Sequence, residues 1–231
     1  MKQQFKKLFP RLVAFRNRVY NYIAHYRFKS LRTEEVFEKI YKENHWKDEE
    51  SKSGTGSSKR NAQGAVIILN ETIKKFSIQS LLDIPCGDFY WMQEVALEGV
   101  QYIGADIVND LIERNSKQFS NTNRKFQKID LLEHALPQVD LIFCRDCFVH
   151  LSYVDIVKAI QSVKLSGSLY LMATTFPAHS NYNIITGDWR PVNLEAAPFL
   201  FPKPICLFAE LFEEDERFKD KSLALWKISD L

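Results

Sequence analysis

The chain has 231 residues, 45% of them hydrophobic and 26% charged, with a formal net charge of +2 at pH 7. These values exclude wholesale disorder and a coiled coil, and the balanced charge gives no global signal for nucleic acid. No apolar run reaches the roughly 18 residues of a membrane span. Four scattered cysteines (Cys86, Cys144, Cys147, Cys206) set no disulfide framework and point to a reducing, cytoplasmic setting.

In chain order, residues 1–32 come first, with nine Lys or Arg and no acid. Apolar side chains at Phe5, Leu8, Leu12, Phe15, Val19, Tyr22 and Tyr26 follow steps of three and four, which predicts a helix from about Pro10 to Tyr26. Such a helix either packs on the domain or lies on an anionic membrane surface. Basic contact with RNA is the remaining alternative. A second helix is expected over Glu34–Asn44, so residues 1–45 read as a basic, helical extension. Lys47–Lys59 is polar, contains glycine and carries no apolar side chain, as in a linker or a functional loop. Ala62–Phe76 again has an amphipathic helical pattern.

From Ser77 onward, short apolar runs alternate with helical stretches. Strands are expected at Ser80–Ile84, Gln101–Asp106, Lys125–Asp130, Val139–Cys144 and Ser168–Thr174. Helices fit at Tyr90–Glu98, Asn109–Phe119 and Tyr153–Val163. This order predicts βαβ units and a parallel sheet, whose ligands bind beyond the carboxyl ends of the strands. Three acids stand at those ends: Asp83, Asp106 and Asp130, spaced 23 and 24 residues apart. Each alone is an ordinary cap, but in register they suggest a site.

A dinucleotide site needs GxGxxG, whose amides and helix N-terminus hold a pyrophosphate. Here the first turn offers only Gly87, and Asp88 puts a negative charge where a phosphate would sit. A cationic ligand without phosphates fits better. S-adenosylmethionine carries an ammonium and a sulfonium that Asp83 and Asp88 can attract. Its ribose diol suits Asp106, and its adenine amino group suits Asp130.

With these residues in place, 77–175 resemble the class I S-adenosylmethionine-dependent methyltransferases. The glycine-rich first loop is matched by Leu82-Asp-Ile-Pro-Cys-Gly-Asp88, with Pro85 where glycine is commoner. Trp46 with Glu50–Ser58, Arg145–Ser152, Gly187–Leu194 with Pro198-Phe199, and Asp220–Trp226 resemble a branch associated with bacterial polysaccharide and glycan modification. The resemblance implies an α/β, Rossmann-like fold: a seven-stranded, mostly parallel sheet with an antiparallel last strand near Leu223–Ile228 and helices on both faces. It implies a methyltransferase domain over 46–231, with 46–60 as a lid. Trp46, Ser57, Asp83, Pro85, Cys86, Gly87, Asp88, Asp106, Ile107, Asp130, Leu131 and Arg145 are the cofactor residues it carries over.

The expected reaction is O-methylation of a sugar hydroxyl in a glycan or glycolipid, leaving S-adenosylhomocysteine and needing no metal. Asp146 and His150 are four residues apart; on a helix after Cys144 they would share a face and supply the base. The long segment 179–204 is the expected acceptor loop, with Trp189 and Phe199 as stacking faces. Arg190, Asn181, Asn183 and Asn193 would be its hydrogen-bond donors. A different acceptor (small metabolite, RNA or protein side chain) and a non-catalytic cofactor-binding scaffold remain alternatives.

Overall fold

The computed structural model of the chain describes residues 28–46, 50–210 and 216–231. The helix expected over 10–26 therefore lies outside the described residues, as does 47–49 of the polar segment. Helix α1 (Thr33–Lys42) opens with Glu34 and Glu35 and closes on Lys39 and Lys42, the charge order that suits a helix dipole. Its apolar face buries Val36 and Ile40 with Phe28. Helix α2 (Lys59–Lys75) is capped by Ser58, whose hydroxyl accepts from Asn61 N.

The core is a seven-stranded sheet in the order β3-β2-β1-β4-β5-β7-β6. Its strands are β1 Ser80–Asp83, β2 Gln101–Asp106, β3 Arg124–Lys128, β4 Leu141–Cys144, β5 Tyr170–Thr175, β6 Cys206–Ala209 and β7 Ser222–Lys227. The first five run parallel, and β7 runs antiparallel to both β5 and β6. Successive strand residues point to opposite faces. Leu82, Ile142, Leu171 and Ala173 thus pack with Ile156, Ala159 and Val163 of α4 (Tyr153–Leu165). Leu81, Leu141, Phe143 and Met172 pack on the other side with Ala65 and Leu69 of α2 and Ile112 of α3 (Asn109–Phe119). Helices cover both faces, as expected.

Three expectations change. Tyr90–Glu98 is not a helix: only Met92–Glu94 makes a 3-10 turn. The amide of Ala96 bonds Asn70 Oδ1 at 2.9 Å instead of continuing the turn. Strand β3 ends at Lys128, so Asp130 stands two residues beyond it. No α-helix follows Cys144 directly: Asp146 adopts φ 52°, and a 3-10 turn runs over Phe148–His150. Asp146 and His150 do not share a helical face.

Candidate active site

Because β1 to β5 run parallel, their carboxyl ends open on one edge of the sheet, and β7, running the other way, brings its N-terminal end to the same edge. A cavity of about 580 Å³ lies there, within the roughly 300–1,000 Å³ typical of small-molecule sites. Every residue expected to hold the cofactor lines it, from Trp46 and Ser57 to Leu131 and Arg145, together with Asp146, His150 and Trp189. Arg190 and Asn193 do not.

The sheet order fixes how the cavity is divided. Asp106, after β2, and Asp130, past β3, stand on one side, and the β1 and β4 loops occupy the middle. Phe176, after β5, and Phe218 and Lys221, before β7, stand on the other side. In the middle, the Asp83 carboxylate accepts the Tyr102 hydroxyl at 2.6 Å. Asp106 accepts from Val108 N at 3.0 Å and from Gly87 N at 3.1 Å, tying the first loop to the second. Asn115 of α3 donates to Gly87 O at 2.8 Å. Burial pushes the Asp83 carboxyl up to about 7 and that of Asp106 to about 6, against the hydrogen bonds that oppose it.

The first loop cannot cradle a pyrophosphate. Its Gly87 amide is taken by Asp106 and its Asp88 amide by Ser53 Oγ at 3.0 Å. A 3-10 turn, not an α-helix, follows it, so no helix N-terminus faces the loop. What remains are carboxylates, suited to ammonium and hydroxyl groups.

Residues 50–58 lie across this loop. Ser51 Oγ donates to Asp88 Oδ2 at 2.8 Å, and Arg145 Nη2 donates to Gly56 O at 2.9 Å. The approach is close: a Cβ on Gly87, which has φ 54°, would stand 2.4 Å from Ser53 Oγ.

His150 lies against Trp46, with ring centroids 5.0 Å apart. Its Nδ1 is 2.9 Å from the Asp188 carbonyl oxygen. A carbonyl only accepts, so Nδ1 carries the proton and Nε2 keeps its lone pair. Burial lowers the affinity of this imidazole for a second proton, which leaves it neutral at pH 7. Asp146 differs. Burial alone would raise its pKa, but Lys221 at 2.7 Å and Arg145 at 3.5 Å outweigh that and hold the carboxylate well below the usual range. An anion stabilised in this way is a poor base, which leaves His150 as the better-suited member of the expected pair.

Arg190, expected to bind substrate, is fully buried. It donates to the carbonyl oxygens of Tyr182, Phe148 and Leu151 at 3.0, 2.7 and 2.7 Å. Asn193 donates to Pro177 O, and Asn181 to the carbonyls of Asn193 and Ala197. Asn183 accepts from Tyr153 N, and Phe199 packs edge-on against Tyr153. These residues build the loop that carries Trp189. The same loop holds His150, since Gly187 N donates to His150 O at 2.8 Å.

If Arg190 is structural, Arg190→Met removes three hydrogen bonds from a charged donor, to the carbonyls of Tyr182, Phe148 and Leu151, at about 1.5–3 kcal/mol each. A loss of at least about 3 kcal/mol, and a fall in Tm on the order of 10 °C, is expected by calorimetry. Unchanged stability with a raised KM for the acceptor would restore its role in binding.

The sequence expectations missed Lys221, Glu210 and Phe218. Glu210 is fully buried and accepts from Arg145 through both Nε and Nη2, and Lys221 Nζ lies 3.4 Å from it. The signal was an acid and a cation at the ends of two short β-rich runs, one of which, β6, was implied by the seven-strand count but not located in the sequence. Among the described residues no group of three His, Cys, Asp or Glu is arranged to hold a metal ion.

Residues 81–165 match the family model described as a methyltransferase domain. The structure is similar to that of human N-acetylserotonin methyltransferase in complex with S-adenosylmethionine. The TM-score is 0.59 at 12% identity, covering 87% of this chain and 61% of that one. It is also similar to a putative O-methyltransferase from Nostoc punctiforme PCC 73102, with a TM-score of 0.54 at 10% identity, covering 72% of this chain and 56% of that one. The chain thus spans about 61% and 56% of the length of these two structures. No curated protein matches the sequence. The fold is the Rossmann-like fold of the class I methyltransferases.

Proposed function

We propose that this chain, which carries a methyltransferase domain, is an S-adenosylmethionine-dependent O-methyltransferase acting on a sugar hydroxyl of a glycan or glycolipid. The observation that carries the enzymatic reading is one cavity joining two buried carboxylates, Asp83 and Asp106, to a neutral imidazole with a free Nε2. Bound there, S-adenosylmethionine supplies an activated methyl group. Asp106 grips the ribose diol, Asp83 and Asp88 attract the ammonium, and Asp130 faces the adenine edge. His150 Nε2 takes the acceptor proton as the oxygen–methyl bond forms. Trp46 fixes the plane of the imidazole, and Asp188 O fixes its tautomer.

The saccharide part of the reading rests on Trp189, whose indole is 40% exposed at the cavity and gives a flat face for a sugar ring. Incubation with S-adenosylmethionine and a panel of methyl glycosides tests it, by following S-adenosylhomocysteine release. Turnover on a glycoside is expected. Turnover only on phenolic, RNA or peptide acceptors would contradict it. The nine cations of residues 1–32 support a further contact with an anionic membrane surface. No helix of the described residues is long and apolar enough to cross a membrane.

Two results follow from the electrostatics and the lid. Binding an ammonium favours ionised carboxylates, so raised carboxyl pKa values make affinity fall as pH drops through them. With Asp83 at about 7 and Asp106 at about 6, S-adenosylhomocysteine is expected to bind at least about tenfold more tightly at pH 8 than at pH 5.5. A flat titration across that range would remove these groups from the site. Residues 50–58 act as a lid that excludes water. Added S-adenosylhomocysteine should therefore slow tryptic cleavage after Lys52 and Lys59, and an unchanged cleavage rate would count against closure.

A further inference from the structure

We propose that Asp146 is the hydroxyl-recognition group of the acceptor subsite and that Lys221, at the entry to β7, is the residue that positions it. This inference rests on the saccharide reading above and adds residues that the reaction itself does not require.

Four charges are packed together beneath the lid. The side chains of Arg145, Glu210 and Lys221 are 4%, 0% and 7% exposed, whereas that of Asp146 is 28% exposed. Removing ions from water costs several kcal/mol each unless they are paired, so an arrangement of this kind calls for a reason. Arg145 has one: it pairs with Glu210 and holds the lid through Gly56 O. Asp146 and Lys221 join the same network, 3.5 Å from Arg145 and 3.4 Å from Glu210 respectively, and both also border the cavity.

The place they occupy matters. On the β5–β7 side, the wall consists of Phe176, Trp189 and Phe218, with Trp189 and Phe218 edge to face at 4.9 Å. Of these rings only Trp189 carries a polar atom, an indole N–H that donates but cannot accept from a hydroxyl, and Arg190, Asn181 and Asn193 are engaged inside their own loop. Among the described residues, the groups at this end that could accept a hydrogen bond from a hydroxyl are on His150 and Asp146, with Lys221 beside them. His150 Nε2 is committed to the reacting oxygen. Asp146 therefore meets the neighbouring hydroxyl: a carboxylate has about four lone-pair sites, and although Lys221 and Arg145 face Oδ2, only Thr174 Oγ1 engages Oδ1, which keeps a site for a donor. A carboxylate beside aromatic faces suits a polyhydroxylated ring, which stacks its C–H face and donates a hydroxyl.

Lys221 acts through this carboxylate. Its Nζ holds Asp146 Oδ2 at 2.7 Å, and Thr174 Oγ1 both accepts from Asp146 N at 2.8 Å and donates to Oδ1 at 3.3 Å. The carboxylate is therefore fixed in direction and kept ionised. Lid closure is matched to the pair, because a Cβ on Gly56 would stand 3.1 Å from Asp146 Oδ2.

Saturation-transfer NMR on protein saturated with S-adenosylhomocysteine, using methyl glycosides of mannose, rhamnose, galactose and N-acetylglucosamine as probes, tests the assignment. At least one glycoside is expected to give transfer with the wild type. Lys221→Met should lose that signal at least tenfold while S-adenosylhomocysteine affinity stays within about threefold, and Lys221→Arg should restore most of it. Should Lys221→Met fail to bind S-adenosylhomocysteine, Asp146→Asn is read in its place, with the same loss expected. An undiminished signal in the variant read overturns the assignment, as does a wild type that binds S-adenosylhomocysteine but no glycoside. A wild type that fails to bind S-adenosylhomocysteine overturns the enzymatic reading itself, and this proposal with it.

Discussion

Replacing Asp106 by asparagine is expected to weaken S-adenosylhomocysteine binding about 100-fold. The carboxylate stands at the end of β2 with 5% of its residue surface exposed and lines the cavity. Two charge-assisted hydrogen bonds to a ribose diol, at about 1.5–3 kcal/mol each, make a loss of about 2.7 kcal/mol a reasonable lower figure. Val108 N bonds Oδ1 and Gly87 N bonds Oδ2, so asparagine, with its shape kept and one acceptor oxygen, retains one of the two ties where alanine would lose both. Calorimetric titration of wild type and variant at pH 8 reads the difference. A change of less than threefold would mean that Asp106 only ties two loops together.

His150→Gln is expected to lower turnover by about 10² to 10⁴, the usual contribution of a positioned base. Glutamine can still donate to Asp188 O and lie against Trp46, so cofactor binding should change little. The two variants separate the roles: Asp106→Asn fails in binding, and His150→Gln fails in the chemical step. Measured at saturating S-adenosylmethionine on any glycoside the wild type methylates, turnover of His150→Gln within threefold of wild type would remove His150 as the base.

How much of this was legible in the sequence depended on whether a residue's role is local. Asp83 and Asp106 end strands defined by their own short apolar runs, and the βα spacing brings them to one edge. Gly87 and Asp88 disfavoured a phosphate site for a local reason, and the structure adds that the loop's amides are already bonded. The helix expected over Tyr90–Glu98 was lost to one distant side chain, Asn70, which takes the amide of Ala96. The four-residue spacing of Asp146 and His150 suggested a shared helical face, but the chain turns through φ 52° at Asp146 before any helix can start. Arg190 and Asn193 were read as acceptor ligands, and the structure places them off the cavity, because a polar residue in a long loop has the same appearance whether it faces solvent or braces carbonyls. Lys221 and Glu210 were invisible for the opposite reason, since their partners Asp146 and Arg145 lie 75 and 65 residues away.

Titration of the purified chain with S-adenosylhomocysteine, with NAD and ATP as controls, is the most direct test of the central claim. A carboxylate-lined cavity whose first-loop amides are already bonded predicts binding of S-adenosylhomocysteine and none of the two phosphate-bearing ligands. Failure to bind S-adenosylhomocysteine, or equal binding of NAD, would mean that Asp83, Asp106 and Asp130 serve as caps and loop ties, and the methyltransferase reading would fall.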